Sequence, residues 1–358
     1  MRSLLSSVLL VASSLVALPA LADPCPGSDP SAPIQGVVLQ DIGFQSDAWA
    51  VSGHRAVGDY TDADYNSHAA MWDLRHPANP PITLGEYASN AVSHSSQATA
   101  VDGRWAVGVD LQFDADGNQT EVALLWDLQS PGAAPTKLPW DGSIVIATGI
   151  HGSKIVGIGL DADGVPRTVV WNTHKPWKAP RVLPTDLPTQ PTAVGSAFIT
   201  GAAYDSNSNG YTGVFWELSD LEDGPIALSY SGGGVFTANA TAGRWGAGLG
   251  YDAAGVMVPL LWDLHHPENE PKQLPGLADA SFVAGMDKGH MVGGGADYAE
   301  GVSGGLLWSL KHSSKAPRLL LIEGHETFAL SVDGARVVGS AQDLTDYDRH
   351  AAYWQIND

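Results

Sequence analysis

Apolar positions along this chain come in short runs broken by Gly, Pro or Asp, with no helical stripe. The stretch from residue 144 to 183 is typical: Ile144–Ile150, Lys154–Leu160, Arg167–Trp171 and Arg181–Leu183 are each apolar or β-branched, and each ends at a turn former. Short β-branched runs between turn residues predict strands. The 41 Gly and 23 Pro spread along the chain would interrupt any long helix.

The pattern repeats. A glycine closes the second run of each unit at Gly58, Gly108, Gly157, Gly201, Gly248, Gly293 and Gly339, and a tryptophan closes the third at Trp72, Trp126, Trp171, Trp216, Trp262, Trp308 and Trp354. From Trp126 onward the tryptophans are 45 or 46 residues apart. Seven copies of about 46 residues with four short strands each predict an all-β fold, a seven-bladed β-propeller of four-stranded blades. The tryptophans are expected to pack blade against blade. The glycines are expected where a strand ends or where adjacent blades approach closely.

The last unit supplies Phe328–Val332, Arg336–Ser340 and Ala351–Ile356 and has no fourth strand. In units one to six that strand reads Pro-x-x-Leu, as in Pro81–Leu84, Pro271–Leu274 and Pro317–Leu320. Val37-Val38-Leu39 stands just ahead of the first unit, which predicts ring closure by a strand over residues 36–40 and a covered sheet edge.

His68-Ala69-Ala70-Met71-Trp72 and His350-Ala351-Ala352-Tyr353-Trp354, with Arg336-Val337-Val338-Gly339, resemble the units of bacterial extracellular HAF-repeat proteins. The middle units depart from that pattern: Val122–Trp126 and Gly305–Trp308 lack the histidine. The resemblance covers residues 36–358 and implies a secreted propeller, with no particular reaction. Trp-Asp-Leu at Trp72, Trp126 and Trp262 also looks like the blade strand of WD repeats.

The N-terminus adds a compartment. Met1-Arg2, the apolar run Leu4–Leu18 and the exit Ala20-Leu21-Ala22 read as a secretory signal cleaved after Ala22, and the run is too short to span a bilayer. Residues 23–35 read as a Pro/Ser/Gly-rich disordered tail, and 36–358 as one propeller. The destination is periplasmic or extracellular. Cys25 is the single cysteine, so no intramolecular disulfide forms.

Charge narrows the partners. The chain has 39 acidic and 18 basic side chains, a net of −21, which argues against nucleic acid and anionic membrane surfaces. An aspartate follows most repeat glycines by four residues: Asp62, Asp161, Asp205, Asp252, Asp297 and Asp343. Such a residue can bond its own turn backbone. The competing chemistry is calcium, for which Asp205, Asn207 and Asn209 form the first half of an oxygen-ligand loop that lacks its closing Glu at Trp216, and Asp114, Asp116 and Glu121 form a second candidate set.

In a propeller, the loops after second strands and the links between blades share one face. Asp47, Trp49, His94, Trp140, Asp141, Asp279, His325 and Glu326 fall on those links and are the candidate ligand-binding residues at the channel mouth. Phe44, Trp49, Trp140 and Tyr230 could stack on a sugar or cap the core. Gly301-Val302-Ser303-Gly304-Gly305 has the letters of a nucleophile elbow, but a turn precedes it and a strand follows, which is the wrong context. No catalytic residue is assignable.

These readings converge on a secreted, monomeric binding or scaffold propeller that engages a protein or carbohydrate partner through its loop-bearing face, without a membrane span. A propeller lyase or hydrolase and a calcium-stabilised structural propeller are the alternatives.

Overall fold

The computed structural model describes residues 32–40, 42–87, 93–142, 144–206, 210–232 and 234–356. The expected signal peptide, Cys25 and most of the expected tail lie outside these, as do Asn207 and Asn209. The described residues form strands joined by turns, and no helix among them is long and apolar enough to cross a membrane.

Unit one shows the construction: Gln45–Ser52, Arg55–Thr61, Ser67–Asp73 and Ile82–Thr83 pair as an antiparallel four-stranded sheet. Units two, three and four are likewise separate four-stranded sheets. Units five, six and seven are the same four-strand groups, linked edgewise into a sheet of twelve. The third unit meets its expected strands within a residue at each end, as Val145–His151, Lys154–Leu160, Pro166–Asn172 and Arg181–Val182.

The fourth strand of unit seven comes from the N-terminus. Ile34–Val38 pairs antiparallel with Arg349–Gln355, with Gly36 opposite Trp354 and Val38 opposite Ala352. It begins at Ile34, two residues ahead of the expected strand. The reason is a second partner: Ile34 and Gln35 pair in parallel with Leu320 and Leu321, and Ile34 is buried there. Leu39 N–H then donates to Ala351 O at 2.8 Å, as Leu84 N–H does to Ala69 O in unit one.

The repeat glycines do not sit at strand ends. Each lies mid-strand, opposite a bulge in the first strand of its own unit, as between Ala48 and Ala50 or between Ala98 and Ala100. The bulge pushes a carbonyl towards the glycine, so a Cβ on Gly58 would stand 1.8 Å from Asp47 O and one on Gly108 would stand 1.9 Å from Gln97 O. All seven glycines face such a carbonyl.

In units two to five the extra residue of the bulge bonds the next unit. Thr99 Oγ1 donates to Ala147 O at 2.7 Å, Thr148 Oγ1 to Pro191 O at 3.0 Å, Thr192 Oγ1 to Ala238 O at 2.5 Å and Asn239 Nδ2 to Val283 O at 3.0 Å. At the opposite ends of the first strands a second series runs through the turns. Gly334 N–H donates to Asp287, Gly53 N–H to Asp333, Gly103 N–H to Ser52 and Gly152 N–H to Asp102, each across a unit boundary.

The repeat tryptophans bury apolar area between sheets, about 2–3 kcal/mol each, as their spacing suggested. Their indole N–H groups also reach back to the preceding unit: Trp126 to Gly85 O, Trp171 to Pro139 O, Trp262 to Ser229 O and Trp308 to Pro275 O. Trp72 makes the same bond to Gln40 O, just past the N-terminal strand. Trp216 alone has a buried indole nitrogen without a partner among the described residues. Apolar clusters join consecutive units, and one of them joins Val338 and Tyr353 of unit seven to Leu39, Ala48 and Trp72.

Candidate ligand-binding face

The face carrying the loops after second strands is organised by the repeated aspartates. Asp114 Oδ1 accepts from the N–H groups of Asp116 and Asn118, Asp161 Oδ1 from those of Asp163 and Val165, and Asp62 Oδ1 from those of Asp64 and Asn66. This is an Asx-type turn in every case. The second carboxylate oxygen clamps the following strand, through His68 Nε2 on Asp62 at 2.8 Å and Arg167 Nε on Asp161 at 2.9 Å. The His68 bond, with the turn N–H groups, holds the Asp62 carboxyl down at about 2.

The fourth residue of these turns adopts a left-handed backbone. Units two, three and five place glycine there, Gly117, Gly164 and Gly255, with φ between +74° and +79°. Unit one places Tyr65 there at φ +64°, and unit seven, with a turn one residue longer, places Tyr347 at φ +65°. A bulky side chain in this region is strained by roughly 1 kcal/mol or more. Both tyrosines are nonetheless solvent-facing, Tyr65 at 81% and Tyr347 at 58% exposure. Tyr65 stacks on Phe44, itself 47% exposed, with ring centroids 5.8 Å apart and planes within 7°.

Beneath this aromatic pair lies a polar network at the inner strand of unit one. Trp49, the bulge residue, donates its indole N–H to Asp59 Oδ1 at 2.7 Å instead of to the next unit. Gln97 Nε2 and Ser67 Oγ also donate to Asp59, at 2.9 and 2.7 Å. Asp47, directly opposite Asp59 in the sheet, is only 5% exposed and pairs with Arg349 at 3.1 Å. Burial raises its carboxyl to about 7, against the pull of Arg349 and with the help of Asp59.

That shift has a sign. The folded state holds the Asp47 proton more tightly than the unfolded chain, so the stability it contributes is fully present below about pH 4 and falls as pH rises towards 7. Asp47→Asn is expected to be more stable than wild type at about pH 8, by roughly 2–4 kcal/mol, and to flatten the urea-unfolding profile between about pH 4 and 8. A loss of stability at the alkaline end would instead mean that the attraction between Asp47 and Arg349 outweighs the cost of burying the carboxylate.

The other expected mouth residues divide. His325 faces Asp343 at 3.7 Å and the His350 ring at 6.3 Å, and burial raises the Glu326 carboxyl despite a bond from Ser303. Asp279 Oδ2 accepts from Tyr298 N–H, so it fastens a loop. Trp140 is packed against the core of units two and three with its indole on Leu160 O, and Asp141 is exposed in the adjoining turn. His94 lies on the strand Ser93–Asp102, and its side chain is outside the described set. Tyr230 packs on Phe236 and bonds Tyr251 O.

Of the two calcium sets, only the second lies wholly within the described residues. Asp205 is half-buried at the end of Phe198–Asp205, and its two companions are outside the described residues. Asp114 is spent on its own turn and Asp116 is exposed, whereas Glu121 lies on a strand at 2% exposure, with Oε1 accepting from Gln119. Burial raises the Glu121 carboxyl. Among the described residues no three His, Cys, Asp or Glu side chains converge as a metal site.

Asp59, Arg349, Tyr65 and Tyr347 were not among the expected residues. For Asp59 and Tyr65 a signal existed in the repeat alignment. Asp59 follows the repeat glycine where other units carry Val109, Ile158, Ala202, Leu249, Gly294 and Ser340, and Tyr65 stands where siblings carry glycine.

With that geometry in place, three solved structures are informative. The β-propeller domain of the Trilobed protease from Pyrococcus furiosus superposes with a TM-score of 0.54 at 13% identity, over 88% of this chain and 98% of that one. The chain has a β-propeller fold. An acylaminoacyl peptidase from Pyrococcus horikoshii gives 0.52 at 13% identity, and a post-proline cleaving enzyme from Rickettsia typhi gives 0.51 at 8%. This propeller covers 88% and 86% of its own length in those matches, and about half of each enzyme, 53% and 52%. No family model and no curated sequence matches the chain. At these identities the likeness carries the propeller fold and no activity.

Proposed function

We propose that the protein is a seven-bladed, exported binding propeller whose ligand face is the aromatic surface of blades seven and one. The ring reading is supported at the junction between the last unit and the first. There Ser46 Oγ accepts from Ala351 N–H, Gly53 N–H donates to Asp333, and Trp72 bonds Gln40 O beside the N-terminal strand. Export is supported by the Leu4–Leu18 run with its Ala20-Leu21-Ala22 exit, and by the likeness of the His68 and His350 strands to extracellular HAF repeats.

The observation that carries the binding role is the pair of left-handed tyrosines. Sibling turns use glycine at no steric cost, so keeping Tyr65 and Tyr347 exposed in a strained conformation is a cost that packing does not explain. A flat stack of Phe44 and Tyr65 offers a face for a sugar ring or an apolar side chain, and the occupant is a partner protein or a surface glycan.

The test is the Tyr65→Gly/Tyr347→Gly protein. It should fold and melt at or slightly above the wild-type temperature, because glycine is at ease at positive φ. It should lose binding that wild type shows to an array of neutral oligosaccharides or to proteins captured from the exported fraction. Identical binding profiles for the two proteins would remove the reading.

A further inference from the structure

In a protein with a net charge of −21, a cavity lined by cations stands out. A cleft of about 290 Å³ at the outer edge of blade three, on the side away from the aspartate turns, is lined by Lys154, Lys175, Lys178 and Arg181 over an apolar floor of Trp171 and Leu221. Four of the chain's 18 basic side chains therefore meet at one place. Arg181 pairs with the exposed Glu222 at 2.6 Å, and among the described residues Lys154, Lys175 and Lys178 have no ion pair.

The sibling blades show how this arose. In blades one, two and five the residue after the repeat tryptophan is an aspartate that neutralises an arginine: Asp73 holds Arg75 at 2.7 Å, Asp127 holds Arg104 and Asp263 holds Arg244. Blade three has Asn172 at that position, and its Oδ1 accepts from His174 N–H. The neighbouring lysines are thus left without the countercharge that the repeat supplies elsewhere. The turn itself is ordered, with Lys175 N–H on Asn172 O and Lys178 N–H on Lys175 O, and between these lysines it carries Trp177, 70% exposed and flanked by Pro176.

We propose that this cleft is a second binding site, for an acidic saccharide: carboxylate-bearing sugars whose anionic groups meet Lys154, Lys175 and Lys178 while a ring face lies on Trp177. The net charge does not forbid it. Acidic groups beyond a Debye length, about 8 Å at physiological salt, are screened from a ligand inside the cleft, whereas the lysines are in contact with it. Unpaired ammonium groups give up less on meeting a ligand carboxylate than ones already in ion pairs, and an exposed indole is a ready platform for a pyranose face.

The experiment is calorimetric titration of the mature protein with hexagalacturonate, with cellohexaose as the uncharged sugar and tripolyphosphate as the anion without a sugar. Hexagalacturonate should bind, cellohexaose at least about tenfold more weakly, and affinity should fall between about 50 and 300 mM salt. Lys175→Gln/Lys178→Gln should weaken hexagalacturonate by about tenfold or more, and Trp177→Ala by about fivefold. All three residues are exposed, so the variants keep the fold, which melting temperature verifies. Tyr65→Gly should leave this binding intact, so the two faces are tested separately. Absence of hexagalacturonate binding overturns the proposal, and so does affinity unchanged in the lysine variant. Tripolyphosphate binding as tight as hexagalacturonate and indifferent to Trp177→Ala would show a plain anion site and overturn the saccharide.

Discussion

Gly108→Ala is expected to destabilise the propeller by more than about 4 kcal/mol, the range reserved for changes that backbone must move to accommodate. The added methyl would lie 1.9 Å from Gln97 O and 2.9 Å from the Ala98 Cα, and neither is the end of a flexible side chain. Relief requires the bulge at Ala98 to open, which separates the first and second strands of blade two. Gly132→Ala supplies the comparison, since nothing lies within 4 Å of its Cβ position. That change should stay within about 0.5 kcal/mol of wild type in urea unfolding. Equal, small effects at the two positions would mean that the bulge yields and that the repeat glycine has another purpose.

The second large effect is at the N-terminal strand. A protein beginning at residue 41 loses the partner of Arg349–Gln355, the acceptor of the Trp72 indole at Gln40 and the buried Leu39, and should be largely unfolded or aggregated. Because a truncated chain can fail for unrelated reasons, Leu39→Ala and Val37→Ala refine the test. Leu39 is fully buried and should cost about 2–4 kcal/mol, whereas Val37 is exposed and should cost less than about 1. Similar costs for both, or a stable truncated chain, would mean that blade seven holds with three strands.

Much of this architecture was legible because the sequence states it seven times. Strand positions followed from runs between turn formers, and the tryptophan spacing gave the repeat before any contact was known. The glycines were legible as a feature and misread in mechanism. A bulge is a relation between two strands, and Gly108 carries no mark of the Gln97 carbonyl opposite it. Ile34 was assigned to the tail because its parallel partner, Leu320, is almost three hundred residues away.

The candidate sites were less legible for the same reason, since Asp47 meets Arg349 and Asp59 meets Gln97 across blade boundaries. Yet each surface argued above is a departure from the repeat. Tyrosine stands for glycine at Tyr65, asparagine for aspartate at Asn172, and an acid for an apolar or small residue at Asp59. In a repeat protein the consensus describes packing, and the exceptions are where chemistry is to be sought.

The two hydrogen-bond series across unit boundaries have a consequence for assembly. Bulge side chains link units two through six, and turn glycines link unit six through seven and one to three. Every boundary has at least one such link, and only that between units two and three has both. Repeats of near-identical shape can pair out of order, and chains of this kind are prone to swapping a unit with a neighbouring molecule. Here the boundaries are of two kinds: a unit from the bulge-linked arc docked in the turn-linked arc leaves a donor unmet or a carboxylate unpartnered. The divided linkage therefore marks one arc of the fold off from the other, so that a swapped unit from the wrong arc would forgo its boundary bond.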